Sequence, residues 1–285
     1  MFNKFILLAV FLFLIGLIAA RFFQWHEINN NENNIPPPLV KIESSKEEPT
    51  YIISLFADSH LDLESLKEGV EISKEMGANY LIHLGDMSDF GILSDLEATK
   101  KILEKSAIPY YVLPGDRDLY LSGEESVLEE TEFGKIFGNR LCDSQLLDRL
   151  KILCLANSYN YNLLSNDYLN NFEKNLAGSK ILISAQPLYN PGSNLYMGFY
   201  SKDVEEQGRV LLEKIRSSGV KVLIAGDTHF FSFYSDEYDS ELTYYTLGAL
   251  TRERNIQQAG FILLEIYDNG RFDVERIIIH EVAGD

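Results

Sequence analysis

Tyr51-Ile52-Ile53-Ser54-Leu55-Phe56-Ala57, followed at once by Asp58-Ser59-His60, is the stretch from which the fold can be read. An uncharged run rich in β-branched and aromatic side chains, with no polar alternation, reads as a strand buried on both faces. It ends in two side chains that can bind a metal. The same arrangement recurs along the chain. Tyr80 to Leu84 runs into Gly85-Asp86, and Ile108 to Leu113 into Gly115-Asp116-Arg117-Asp118. Lys180 to Ser184 runs into Ala185-Gln186-Pro187, and Lys221 to Ala225 into Gly226-Asp227-Thr228-His229.

Helical spacing separates these strands. Leu63 to Met76 carries apolar positions at Leu66 and Val70 and stops at Gly77, and Ser94 to Ser106 reads as a helix with Ser94 as its cap. Further helices are expected over Tyr168–Ala177 and Asp203–Ser217. Lys151 to Ala156 reads as a strand, paired with Arg140 to Gln145. The tail lacks helices: Thr243–Leu247, Gly260–Tyr267 and Phe272–His280 read as an antiparallel meander, the last two joined by the hairpin signal Asp268-Asn269-Gly270. The pattern is an α/β domain with helices outside its sheets.

In open α/β sheets, ligands bind beyond the carboxyl ends of the strands. Gly85, Gly115 and Gly226 immediately precede Asp86, Asp116 and Asp227, and a glycine there lets the backbone turn sharply. Asp58, Asp86, Asp116 and Asp227 are therefore expected to converge. At about 4 Å and an effective dielectric of about 20, each like-charged pair costs on the order of 4 kcal/mol. Bound cations relieve that cost most simply. A mixed oxygen and imidazole set suits manganese, iron or zinc, whereas carboxylate and amide alone suit magnesium, calcium or manganese.

Composition narrows the partners. The chain has 285 residues, with 46% hydrophobic and 24% charged, which is ordinary globular composition. Asp and Glu number 43 against 25 Lys and Arg, a formal net charge of −18. So acidic a surface repels a phosphate backbone and argues against nucleic acid. A small phosphorylated substrate remains compatible, because bound metal reverses the local field. Two cysteines, Cys142 and Cys154, are too few for a disulfide scaffold or a zinc ribbon; a disulfide between them and two buried thiols are both open.

Phe5 to Ala20 is an uncharged apolar run between Lys4 and Arg21, with Phe22, Phe23 and Trp25 beyond. It reads as a membrane anchor over residues 1–23, extended by interfacial aromatics and a snorkelling arginine. A cleaved signal peptide is the competing reading, weakened by Ile18 at a site that prefers small residues. Residues 24–50, asparagine-rich and then Pro36-Pro37-Pro38, read as a linker. The folded domain, 51–285, would lie on the extracytoplasmic side of the cell membrane. No feature bears on oligomeric state.

Asp58-Ser59-His60, Gly85-Asp86, Gly115-Asp116-Arg117-Asp118, Gln186 after a strand and Gly226-Asp227-Thr228-His229, in this order, resemble the motifs of calcineurin-like metallophosphoesterases, which run Asp-x-His, Gly-Asp, Gly-Asn-His-Asp, a histidine at a strand end and Gly-His-x-His. The resemblance spans residues 51–285 and implies two mixed β-sheets packed face to face with flanking helices. It implies a first metal on Asp58, His60, Asp86 and His229. It also implies a second on Asp86, Asp116, Gln186 and Asp227, where this chain departs from the family: Asp116 replaces asparagine, and Gln186 and Asp227 replace histidines. Arg117 stands at the general-acid histidine. An arginine cannot protonate a leaving group at neutral pH but can clamp a phosphate oxygen. Arg117 and Asp118 are the expected catalytic pair, Asp118 as support.

The expected function is hydrolysis of a phosphate mono- or diester by a metal-bound hydroxide. The alternative is an inactive relative that binds a phosphorylated ligand or an envelope partner. His83 reads as a core or pocket-edge histidine, and Asp62 and Asp89 as caps or turn residues. Tyr159–Tyr168 reads as loop packing and Glu124–Glu132 as a solvated helix face. His26 and His280 receive no role.

Overall fold

The computed structural model describes residues 48–122, 128–142, 150–158 and 163–279. The expected anchor, nearly all of the linker, His26 and His280 lie outside the described residues, as do Tyr159, Tyr161 and residues 124–127. Among the described residues no helix is long and apolar enough to cross a membrane.

Among the described residues, ten strands form two five-stranded sheets. In the first, β1 (Tyr51–Phe56) pairs in parallel with β2 (Tyr80–His83), and β2 with β3 (Tyr110–Val112). The other edge of β1 takes β9 (Gly260–Ile266) antiparallel, and β9 takes β10 (Phe272–Ile278), giving the order β10-β9-β1-β2-β3. In the second, β4 (Ile152–Leu155), β5 (Ile181–Ser184), β6 (Val222–Ala225) and β8 (Thr243–Thr246) are parallel neighbours, and β7 (Ser232–Ser235) runs antiparallel on β8.

Strand alternation assigns the faces. Ile53, Leu55 and Ile82 of the first sheet share one apolar cluster with Ile152, Cys154, Ile183 and Ile224 of the second, so the sheets pack face to face. The opposite faces bury Phe56, Leu81 and Val112 under α1 (Leu63–Glu75), α2 (Leu93–Lys105) and α3 (Glu132–Phe137). Leu153, Leu182 and Leu223 lie under α4 (Asn166–Leu176) and α5 (Lys202–Ser218). Asp62 caps α1, accepting the Ser65 N–H at 3.0 Å.

Three expectations need correction. The tail is not one meander. β8 joins the second sheet parallel to β6, β9 and β10 join the first, and β7 was not foreseen because Ser232–Ser235 alternates half-buried and exposed. Helix α2 begins at Leu93, and the preceding Ile92 offers no capping side chain. Residues 140–142 do not pair with β4: Leu141 bridges in parallel to Val112, at the edge of β3. The disulfide Cys142–Cys154, with Cα atoms 5.8 Å apart, thus ties the β3 edge of one sheet to β4 at the edge of the other.

Candidate metal centre

The loops leaving β1, β2 and β6 hold their polar residues in an uncommon backbone state. Asp58, His60, Asp86, Asp227 and His229 have φ of 55°, 41°, 56°, 69° and 53°. Non-glycine residues seldom occupy this left-handed region, and each costs on the order of 1–3 kcal/mol unless its surroundings dictate it. Here they do. Asp58 N–H donates to Gly85 C=O at 3.1 Å, and His60 N–H to Asp86 C=O at 3.0 Å. Thr251 N–H donates to Asp58 C=O at 3.1 Å. The loops after β1 and β2 and the segment at Thr251 thus hold one another.

One ligand atom from each of Asp58, His60, Asp86 and His229 lies within 4.8 Å of the others. The tautomers follow from the neighbours. His229 Nδ1 is 3.1 Å from the Arg254 carbonyl, and His60 Nδ1 is 2.9 Å from Asp89 Oδ1; both partners only accept, so both Nδ1 atoms carry hydrogen. Arg254 Nη1 also lies 3.3 Å from His60 Nδ1, but the closer carboxylate sets the tautomer. The two Nε2 lone pairs then face each other across 3.0 Å. Beside them, both Asp58 oxygens are buried with no hydrogen-bond partner among the described residues. Opposed lone pairs and a bare buried carboxylate are each unfavourable alone, and a divalent cation among them satisfies all. The residues therefore fit a metal ion.

Without a cation, burial governs titration. Burial, and then the neighbouring His229, hold His60 down at about 4, and burial also lowers His229. Burial raises Asp58 well above the usual carboxylate range, with Asp227 adding to it; Asp86 is raised by burial and then by Asp58.

Asp86 also reaches a second group: its ligand atom and those of Asp116 and Asp227 lie within 4.8 Å of one another. Burial, then the charge of Asp116, raises Asp227 to about 8. Gln186 borders the same cleft. Its amide nitrogen is committed, donating to the Asn157 carbonyl at 2.6 Å, which leaves its oxygen for the cleft. Gly115 has no substitute here, because a Cβ on it would lie 2.0 Å from Asp86 Oδ1 and 2.2 Å from Asp86 N.

Arg117 lines the cleft with a side chain 43% exposed, its Nε 3.8 Å from Asp116 Oδ1. Asp118 does not line it. Its Oδ1 accepts the N–H groups of Met87 and Ser88 at 2.9 and 3.0 Å, and its Oδ2 accepts that of Gly115 at 3.0 Å. Asp118 is therefore a positioning residue for the loops bearing Asp86 and Asp116, not a group that touches substrate. His83, fully buried and held down at about 3 by desolvation, accepts the Gly85 N–H on Nδ1 and so donates from Nε2 to Ser59 Oγ, 3.0 Å away. It ties the first two loops together.

Two contributors escaped the sequence reading. Asp89, expected as a turn residue, orients His60. Arg254, with no local signal beyond its charge, pairs through Nη2 with Asp89 Oδ1 at 2.9 Å and lines the cleft. Tyr168 does pack, accepting the Ala156 N–H at 2.8 Å. The cleft has a volume of about 440 Å³ and opens to solvent.

Known proteins give this geometry a context. A dimetal phosphatase from Danio rerio superposes with a TM-score of 0.59 at 14% identity, covering 82% of this chain and all 100% of its own. A purple acid phosphatase from yellow lupin (Lupinus luteus) seeds superposes with a TM-score of 0.56 at 16% identity, covering 80% of this chain and 51% of its own. At such identities the likeness is one of fold. A comparison with curated proteins yields no match. The calcineurin-like phosphoesterase superfamily domain model matches residues 52–269. With two sheets face to face and the Asp/His/Asp/His cluster at their carboxyl ends, the chain belongs to the calcineurin-like phosphoesterase superfamily.

Proposed function

We propose that the protein is a metal-dependent phosphoesterase that hydrolyses a small phosphate mono- or diester. The observation that carries this is the cluster of Asp58, His60, Asp86 and His229, with bare Asp58 oxygens and opposed imidazole lone pairs. Those four residues would hold one divalent ion, and Asp86, Asp116, Gln186 and Asp227 a second through oxygen atoms alone. Bound there, the ions supply Lewis acidity and lower the pKa of attacking water. The chain supplies the rest. Asp89 and the Arg254 carbonyl fix the two imidazoles. Arg117 and Arg254 flank the cleft and would bind and orient phosphate oxygens. Water oxygen bonds to phosphorus as the ester oxygen departs. With arginine at position 117, no side chain there delivers a proton to that oxygen, so esters with acidic leaving groups are favoured.

A second reading, an inactive relative that binds a phosphorylated ligand, is supported by the same arginine and by the lack of imidazole at the second site. We also propose a membrane-anchored protein with this domain outside the cytoplasm, from the apolar run Phe5–Ala20. The Cys142–Cys154 disulfide supports an oxidising compartment. The test is turnover of 4-nitrophenyl phosphate and bis(4-nitrophenyl) phosphate with added Mn²⁺. Hydrolysis is expected; folded protein with no turnover under Mn²⁺, Mg²⁺, Zn²⁺ or Fe²⁺ would refute catalysis, and metal counting would then decide for the binding reading.

A further inference from the structure

One side of the cleft is neither acidic nor basic. The loop between β5 and α5 contributes Leu195, Tyr196, Phe199 and Tyr200, and Ile256 faces in from the segment before β9. This wall shares the roughly 440 Å³ cleft with His60, Asp86, Asp116 and Asp227. Ligand clefts run from about 300 to 1,000 Å³, so the space admits a small ester and not a folded partner.

The wall is preformed. Met197, 1% exposed, anchors the loop and donates its N–H to the Pro187 carbonyl at 2.8 Å. Gly198, with φ of 86°, lies against the first turn of α5 so closely that a Cβ would sit 2.0 Å from Glu205 N. The Tyr196 hydroxyl donates to Glu205 Oε1 at 3.3 Å. Phe199 stands edge-to-face between Tyr196 and Tyr200, with ring centroids 5.5 and 4.9 Å away. Yet Phe199 remains 37% and Tyr200 72% exposed. Exposed aromatic rings lining a cleft suit another planar ring, which they can meet edge-to-face or offset-stacked. Ser158 and Asn194 on the same lining add hydrogen-bonding groups that a purely aliphatic chain would leave unpaired.

We propose that Phe199 and Tyr200 form a ring-binding subsite, and that the substrate is a small phosphoester whose alcohol portion carries a planar aromatic ring. This rests on the phosphoesterase reading and names the substrate class of the same site.

Phosphonates test it without turnover, because their P–C bond is not hydrolysed. Binding of methylphosphonate, benzylphosphonate and (cyclohexylmethyl)phosphonate to the full chain in detergent with Mn²⁺ is measured by titration calorimetry. Benzylphosphonate is expected to bind about tenfold tighter than methylphosphonate and several-fold tighter than the cyclohexyl compound. Phe199→Leu, which keeps bulk but removes the ring, should abolish most of that preference, read as the ratio of benzylphosphonate to methylphosphonate affinity; Tyr200→Phe should keep it. Methylphosphonate binding without ring preference overturns the subsite alone, as does a cyclohexyl compound that binds as tightly as the benzyl one. Binding of none of the three overturns the phosphoesterase reading along with it.

Discussion

Asp58 is the residue at which structural and metal-binding roles predict opposite outcomes. Its carboxylate is buried, both oxygens lack hydrogen-bond partners, and Oδ1 lies 3.5 Å from His229 Nε2. Asp86 lies within 4.8 Å, and at that separation ionising both carboxylates would cost about 3.5 kcal/mol at an effective dielectric of about 20. Without a cation, burial raises both well above the usual carboxylate range. Asp58→Asn is the neutral isostere of the protonated acid, and its amide can donate to the Nε2 lone pair. Metal-free Asp58→Asn protein should therefore melt at or above the wild-type temperature. With Mn²⁺ at 100 to 1,000 times its dissociation constant, wild type should gain about 2.7–4.1 kcal/mol. For a domain of roughly this size that is a rise of about 5–16 °C, taking about 2–4 °C per kcal/mol. Losing a ligand that costs two decades of affinity removes about 2.7 kcal/mol of it, so the variant's shift should fall to about 0.4–1.4 kcal/mol, or about 1–6 °C. Thermal melts by circular dichroism, in EDTA and in Mn²⁺, read both numbers. A variant that keeps the wild-type Mn²⁺ shift would refute the ligand role. One that melts far below wild type in EDTA would show that Asp58 is structural.

Three further outcomes are expected. The metal-free protein should lose stability as pH rises from about 7 to 8. Asp227 and Asp118 ionise near 3.8 when unfolded, but burial lifts them to about 8 and about 7 when folded, so the native state holds the extra protons and the stabilisation is lost as pH rises to those values. Below about pH 6.5 the buried His60 and His83, held down at about 4 and about 3, act in the opposite direction. Greater stability at pH 8 than at pH 7 in EDTA would contradict this, and Mn²⁺ should flatten the profile. Replacing both cysteines by serine should cost about 2.8 kcal/mol, the loop-entropy value for a separation of 12 residues. Urea unfolding with and without reductant measures it, and unchanged stability would count against a disulfide in the native protein. Arg117→His should restore a proton donor at the cleft and raise alkyl phosphate turnover at least about tenfold, a modest share of what general acids supply. Turnover of 4-nitrophenyl phosphate, which needs no proton donor, should fall with the lost guanidinium rather than rise; an equal gain on both esters would place the effect elsewhere.

Much of this molecule was legible because its strands announce themselves. Tyr51–Phe56, Tyr80–His83, Ile181–Ser184 and Val222–Ala225 are buried runs without alternation, and each is followed within a few residues by a side chain of the cleft. That local grammar determined the α/β class, the order of the loops and the convergence of their aspartates, while the resemblance to calcineurin-like metallophosphoesterases is what grouped Asp58, His60, Asp86 and His229. Sheet membership was not local. Thr243–Thr246 and Gly260–Ile266 both read as strands, yet one lies beside β6 and the other beside β1. Only the packing of the two sheets decides which edge each strand completes. The same holds for Asp89 and Arg254, which reach His60 across 29 and 194 positions of sequence, and for Cys142, which looked like a hairpin partner of Cys154 and instead links two sheets. Residue type and spacing fix which chemistry a chain can carry. Which lone pairs meet, which carboxylate is left bare and which ring faces the cleft depend on contacts between distant segments, and those exist only once the core has closed.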